Sequence, residues 1–449
     1  MRSLRWIGLG LVLAIAVALV VFRLDRALRV ATGAVAHDLC AAAFLQGLDP
    51  DRVFDESLRP RAGLDRIAGL IRYRVDRAAG LVEASVAGIA RSRAAFRPGW
   101  GCLVLHEPVA APPEFPPAAV PAPPMIMADD PRLAAALERA FAEDGPGPPR
   151  RTKAIVVLRD GQVVAERYAP GYGVDTPLLG FSLAKSVMNA LIGAAVAQDR
   201  LDPAAPAPVA AWADDARRAI TLEQLMRMTA GLALDETGSG FDPSNRMLYL
   251  ARDMAGFAAA ASLADPPGRR WNYSSGMTQL AARALRDAVG GTGPDVIAFA
   301  RQALFAPLGI AGMTIEMDAT GTPIGSNYVF APARDWARLG QLYLDDGMAG
   351  GRRVLPPGWV AWSIRPTLDS DYGAGFWVNA ADHPHARGRV RRGMPQDAFF
   401  GSGNLGQRLA ILPGQRLVVA RFGYATAEDG DIAGFTRLIA DLVAASPSR

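Results

Sequence analysis

Gly180-Phe181-Ser182-Leu183-Ala184-Lys185-Ser186-Val187 reads as the start of an apolar helix that continues through Met188-Asn189-Ala190-Leu191-Ile192-Gly193. Ser182 falls in the first turn, where backbone N–H groups and the positive helix end face its oxygen. A residue three positions on stands on the same face, so the Lys185 amine reaches the Ser182 hydroxyl by local geometry alone. The neighbours Phe181, Leu183, Val187 and Met188 are apolar. Desolvation lowers an amine's pKa and opens the neutral form that accepts a proton. Ser182 is the candidate nucleophile and Lys185 its candidate base.

The wider chain supports that choice. Of 48 basic residues only Lys153 and Lys185 are lysines. Arginine serves equally well as a solvated cation but cannot be deprotonated in a protein, so a lysine kept against this bias is a candidate for chemistry arginine cannot do. There are four histidines: His37 and His106 precede the main domain, while His383 and His385 lie in a stretch, Ala380 to Gly388, that reads as a solvated loop. A Ser-His-Asp triad is poorly supplied, and no G-x-S-x-G elbow is present. The two cysteines, Cys40 and Cys102, sit in no metal-ligand spacing, so neither a metal nor a cofactor is expected.

The strands around this helix begin with Ala154–Leu158 and Gln162–Arg167, joined by the hairpin signal Arg159-Asp160-Gly161. Residues 182–345 read as mostly helical. Strands return at Arg408–Leu412 and Leu417–Phe422, followed by an amphipathic helix from Ile432 to Ala444. Strands at both ends of a helical middle imply an α/β (α+β) domain whose sheet is assembled from distant segments. Its expected span is 150–449.

Before it come three expected segments. Trp6–Phe22 is an apolar run flanked by Arg2, Arg5, Arg23, Arg26 and Arg29, read as an uncleaved signal anchor or transmembrane helix over 1–23, with a cleaved signal as the alternative. Residues 24–106 hold strand-like runs such as Ile71–Val75 and Leu81–Val86, a small β-containing subdomain. Residues 107–149 are a Pro/Ala-rich linker ending in a short helix that starts at Asp130-Pro131. Export would place Cys40 and Cys102 in an oxidising space and make them a disulfide; in the cytosol they are two buried thiols. The expected location is the periplasm, either anchored to the inner membrane or released into it. At 449 residues, 50 % hydrophobic and 20 % charged, the chain has ample core material. Its net charge of +4 is spread out, which argues against nucleic acid as a partner.

A tyrosine candidate lies in Pro266-Pro267-Gly268-Arg269-Arg270-Trp271-Asn272-Tyr273-Ser274-Ser275-Gly276. The Pro-Gly turn delivers an aromatic and polar cluster ahead of a helix, as suits a loop at a cleft mouth. A phenol hydrogen-bonded to an ammonium ionises more readily and shuttles a proton to a leaving group.

Ser-x-x-Lys, then Tyr-x-Ser about ninety residues later, then a Gly-rich strand near the C-terminus resembles the three-motif order of the serine β-lactamase and penicillin-binding-protein superfamily. Gln224–Leu232, Gly325–Tyr328 and Arg334–Gly340 bring it closer to the class C-type branch of esterases and 6-aminohexanoate-oligomer hydrolases. The resemblance covers roughly residues 150–445. It implies an antiparallel sheet flanked by helices plus an all-helical subdomain. It also implies acylation of Ser182, Lys185 as base, Tyr273 as second proton carrier, and the backbone N–H groups of Ser182 and Asn404 as oxyanion hole. Ser275, Ser402 and Gly403 would line the substrate site, the substrate being a small ester or amide. Ser275 replaces the commoner Asn of the second motif and Gly401 the cation of the third, which fits the esterase/amidase branch better than β-lactam hydrolysis. A D-alanyl peptidase or penicillin-binding protein and a non-catalytic binding member are the alternatives.

Overall fold

The computed structural model describes residues 24–106, 123–143, 147–237 and 239–445. The expected membrane segment 1–23 and the linker stretch 107–122 lie outside the described residues.

Helix α1, Leu24–Gln46, is long and apolar enough to cross a membrane, yet 72 % of its apolar window is buried within the protein. It lies on a four-stranded antiparallel sheet of β1 (Ile71–Asp76), β2 (Leu81–Val86), β3 (Ile89–Arg97) and β4 (Gly101–Val104). The sequence reading anticipated strands here but not the helix. Gly33 of α1 sits so close to Tyr249 that an added Cβ would stand 3.0 Å from the tyrosine Cβ. Val35, Leu39 and Val82 share one continuous core with Met188, Leu280 and Phe330 of the following region. Cys40 and Cys102 are joined as a disulfide, with Cα atoms 6.1 Å apart, which ties α1 to β4.

Helix α2, Pro131–Phe141, begins where Asp130 accepts the Arg132 N–H at 2.8 Å. The hairpin β5 (Thr152–Arg159) and β6 (Gln162–Tyr168) follows. Asp160 and Gly161 at its tip have φ of 48° and 80°, the pair of positive values that a tight turn of this hand requires. Helix α3, Ala184–Val196, follows the 3-10 turn Phe181–Leu183, and helix α4 is Ser275–Val289. Helix α5 spans Ala333–Leu344. Strands β7 (Trp377–Val378), β8 (Phe399–Gly403), β9 (Gln407–Leu412) and β10 (Leu417–Gly423), then helix α6 (Ile432–Ala444), complete the domain.

The main sheet has six strands in the order β7-β8-β9-β10-β5-β6, every pair antiparallel. Alternate residues of β5 serve two cores. Ile155 and Val157 pack with Leu137, Phe435 and Ile439 of α2 and α6, whereas Ala154, Val156 and Leu158 face α5 and the helical layer. Burial on both faces explains why the stretch Ala154–Leu158 of β5 is apolar throughout and does not alternate with polar residues. The mixed α/β fold, with an antiparallel sheet between helices, is the one expected.

Candidate active site

The turn before α3 is strained at one residue. Phe181 has φ of +47°, a left-handed value that costs a non-glycine residue about 1–3 kcal/mol and is kept where surroundings impose it. Leu405, just after Asn404, has φ of +56°. Both strained residues adjoin positions expected to form the oxyanion hole. Strand β8 comes close enough to this turn that a Cβ on Gly403 would stand 2.1 Å from the Gly180 carbonyl oxygen. Only glycine lets strand and turn meet there.

Lys185 is 4 % exposed. Its Nζ lies 3.1 Å from Ser182 Oγ, 3.1 Å from Ser275 Oγ and 3.3 Å from the Ser326 carbonyl oxygen. Burial pushes its pKa down to about 8, against the pull of the Glu236 carboxylate, which favours the charged amine. An ammonium donates to all three oxygens. A neutral amine keeps two N–H groups and a lone pair, which a hydroxyl such as that of Ser182 can meet with its own proton.

Tyr273 faces the same cleft, but its relation to Lys185 differs from the expected one. Nζ stands 4.6 Å from the centre of the phenol ring. Burial first, and Glu236 second, hold the Tyr273 hydroxyl above its ordinary pKa, with Ser182 pulling the other way. Burial and Glu236 thus act against the eased ionisation expected from the sequence and favour the neutral phenol, a form that can donate its proton. Its ring is fixed in an aromatic cluster, with centroids 5.6 Å from Tyr372 and 5.9 Å from Trp377.

A cavity of about 390 Å³ brings together Ser182, Tyr273, Ser275, Ser402, Gly403 and Asn404, and Lys185 lies beneath its floor. Gly401 faces away from it. A Cβ there would meet Leu183 and Ser186 at 2.7 and 2.8 Å, so α3 fills the place a third-motif side chain would need. Ser275 opens α4 and donates its backbone N–H to the Glu236 carboxylate.

The charged residues of the cleft, Arg61, Glu236, Asp242, Arg408, Glu428 and Asp429, were not among the site residues expected from the sequence. Each belongs to a segment without a spacing motif, and long-range folding alone brings them here. Arg408 is buried and donates to the carbonyl oxygens of Gly403, Gln407, Asp429 and Gly430 at 2.8–3.2 Å, fixing the strand end that carries Asn404.

His383 and His385 are not in the expected loop. His383 caps the short helix Pro384–Arg391 and lies 3.4 Å from buried Asp371. The donor atoms of Asp371, His383 and His385 lie within 4.8 Å of one another, the tightest set of metal-type ligands among the described residues. Asp371 is already engaged by Arg389 at 2.8 Å, and a cation at this spot would compete with that guanidinium.

Comparison with known proteins adds the lineage. A 6-aminohexanoate-dimer hydrolase of Paenarthrobacter ureafaciens is 29 % identical over 226 residues, 46 % of this chain and 56 % of that enzyme. The chain thus spans little more than half of that curated relative's length. Among solved structures, a putative 6-aminohexanoate-dimer hydrolase from Bacillus anthracis superposes with a TM-score of 0.56 at 24 % identity, covering 67 % of this chain and 81 % of its own. A penicillin-binding-protein homologue from Caulobacter crescentus gives 0.55 at 22 % identity, covering 71 % and 98 %. These likenesses establish a shared fold. The family model described as Beta-lactamase matches residues 137–441, about two thirds of the sequence. The chain belongs to the beta-lactamase family.

Proposed function

We propose that this protein is a serine hydrolase that cleaves an ester or amide through an acyl-enzyme on Ser182. The observation that carries the proposal is the 3.1 Å approach of the Lys185 amine to Ser182 Oγ, with burial bringing that amine's pKa to about 8. Neutral Lys185 takes the serine proton as Oγ attacks the carbonyl carbon. The backbone N–H groups of Ser182 and Asn404 receive the developing oxyanion, usually the largest single contribution to catalysis. Tyr273, neutral and at the cleft wall, hands its proton to the leaving oxygen or nitrogen and is reprotonated from Lys185. Water then attacks the acyl carbon as Lys185 takes its proton, and Lys185 hands that proton to Ser182 Oγ as the acyl–oxygen bond breaks, which frees the acid and restores the neutral amine.

Hydrolase relatives support this reading. The Cys40–Cys102 disulfide supports an exported, oxidising location, with residues 1–23 as anchor or signal.

The test is labelling with a fluorophosphonate probe, read by intact mass. The parent chain should gain one adduct and Ser182→Ala none. Equal labelling of the two would end the proposal. A fluorescent penicillin on the same samples tests the cell-wall alternative, which requires a stable adduct that the glycine at position 401 disfavours.

A further inference from the structure

The part of the chain before residue 137 lies outside the family match, yet it supplies a side chain to the catalytic cavity. Arg61 lines that cavity beside Phe181, its Cζ 5.7 Å from the phenylalanine ring centre. Its Nη2 donates to Asp38 Oδ2 at 2.9 Å and to Ser57 Oγ at 3.4 Å, and the guanidinium also interacts with the Tyr249 hydroxyl. Nε is buried with no partner among the described residues.

Asp38 holds this guanidinium from one side. The same carboxylate also takes His37 Nδ1 at 3.1 Å, and His37 Nε2 meets Glu316 at 2.6 Å. Arg97, in the same buried cluster, adds a further positive charge beside Glu316. Asp318 also acts on Arg97, so three carboxylates serve three cations. Arg408, the other cation of the cavity, bonds only carbonyl oxygens and likewise leaves Nε unpartnered. Four carboxylates line the cavity as well. Glu236 takes the Ser275 N–H, Asp242 caps its helix by accepting the Asn245 N–H at 3.1 Å, and Glu428 and Asp429 stand on the exposed rim. No side chain at position 401 reaches the cleft.

We propose that Arg61, carried in by the N-terminal segment, binds an anionic group of the substrate, so that the enzyme prefers esters or amides bearing a carboxylate. This rests on the serine-hydrolase reading for its turnover assay but not for its binding assay. A guanidinium held through Nη2 by Asp38, on a residue that lines the cavity, suits contact with a carboxylate.

The test uses the full chain and its Arg61→Gln and Arg61→Lys variants; glutamine keeps a donor for Asp38 but carries no charge. The substrates are the 4-nitrophenyl monoester of glutaric acid and the neutral 4-nitrophenyl butyrate. Arg61→Gln should cut kcat/KM for the anionic ester about 10- to 100-fold, mainly through KM, the range for a lost charged hydrogen bond. The neutral ester should change less than about threefold on the same scale, and Arg61→Lys should recover part of the loss. Unchanged labelling of Ser182 by a fluorophosphonate shows that the variant is folded. Equal losses on both esters, or none, overturn the proposal. A parent chain that turns over neither ester would refute the hydrolase reading instead. Arg61 is then judged by calorimetric binding of glutaric acid mono-4-nitroanilide to Ser182→Ala chains. Affinity should fall by the same factor when Arg61 is also changed to Gln, and an unchanged affinity counts against it.

Discussion

Lys185 carries two opposed influences, burial that releases its proton and the Glu236 carboxylate that retains it. With the neutral amine as the active form, kcat/KM should climb as pH rises through about 8, and this acidic limb is readable in a pH–rate profile. Glu236→Gln removes the retaining charge, so the limb should move to lower pH; a limb that stays put would mean the titrating group is not Lys185. Lys185→Arg keeps the charge but not the deprotonated form, and should lose about 10²- to 10⁴-fold in kcat, the usual worth of a general base. Activity near that of the parent would exclude the amine as base.

The elements that hold these side chains were unequally visible in the sequence. Ser182 and Lys185 sit one turn apart on one helix, so their meeting depends on local geometry that spacing reports. Tyr273 was reachable because a Pro-Gly turn ahead of a helix start is itself a local signal, whereas Ser275 came only from the family resemblance. Glu236, Arg61 and Arg408 arrive by tertiary folding, which no periodicity encodes. Helix α1 was missed because its Ala-rich, His- and Asp-containing run lacks a clear apolar stripe and follows a stronger apolar segment. The contact of β8 with the turn before α3 is also tertiary, and it makes a specific demand. Gly403→Ala would press a Cβ against the Gly180 carbonyl, displacing either Ser182 or the strand end at Asn404. Displacement on the order of 1 Å at reacting groups costs about 10²-fold, so fluorophosphonate labelling should slow by about that factor. Gly69→Ala is the control, since a Cβ there meets nothing within 4 Å; its labelling rate should match the parent.

At the scale of the molecule, the N-terminal layer is bound to the beta-lactamase-family region by a buried charge cluster as well as by apolar contact. His37 is 2 % exposed, stacks on Tyr328 with ring centres 3.8 Å apart, and lies between Asp38 and Glu316. Burial works to lower its pKa, but the two carboxylates outweigh burial and raise it from 6.5 to about 9. A basic group whose pKa rises on folding stabilises the fold fully below its unfolded pKa and loses that contribution as pH rises through the folded value. The contribution is on the order of 3 kcal/mol, and it should decline from about pH 6.5 and be gone beyond about 9. Lys185 acts in the opposite sense, its burial penalty being relieved only above about 8. The interval from about 6.5 to 8 therefore isolates His37. Denaturant unfolding across it should show stability falling with pH in the parent, and a flatter profile in His37→Gln. The disulfide acts on the same junction by a route independent of pH. Cys40 and Cys102 are 62 residues apart, and closing a loop of that length stabilises by about 4 kcal/mol in the chain-entropy model. The Cys40→Ala/Cys102→Ala double variant should be destabilised by about that amount at every pH, with the downward slope between 6.5 and 8 intact. If the slope vanished with the disulfide, the His37 cluster would depend on the bridge for its geometry, and the two devices would be one.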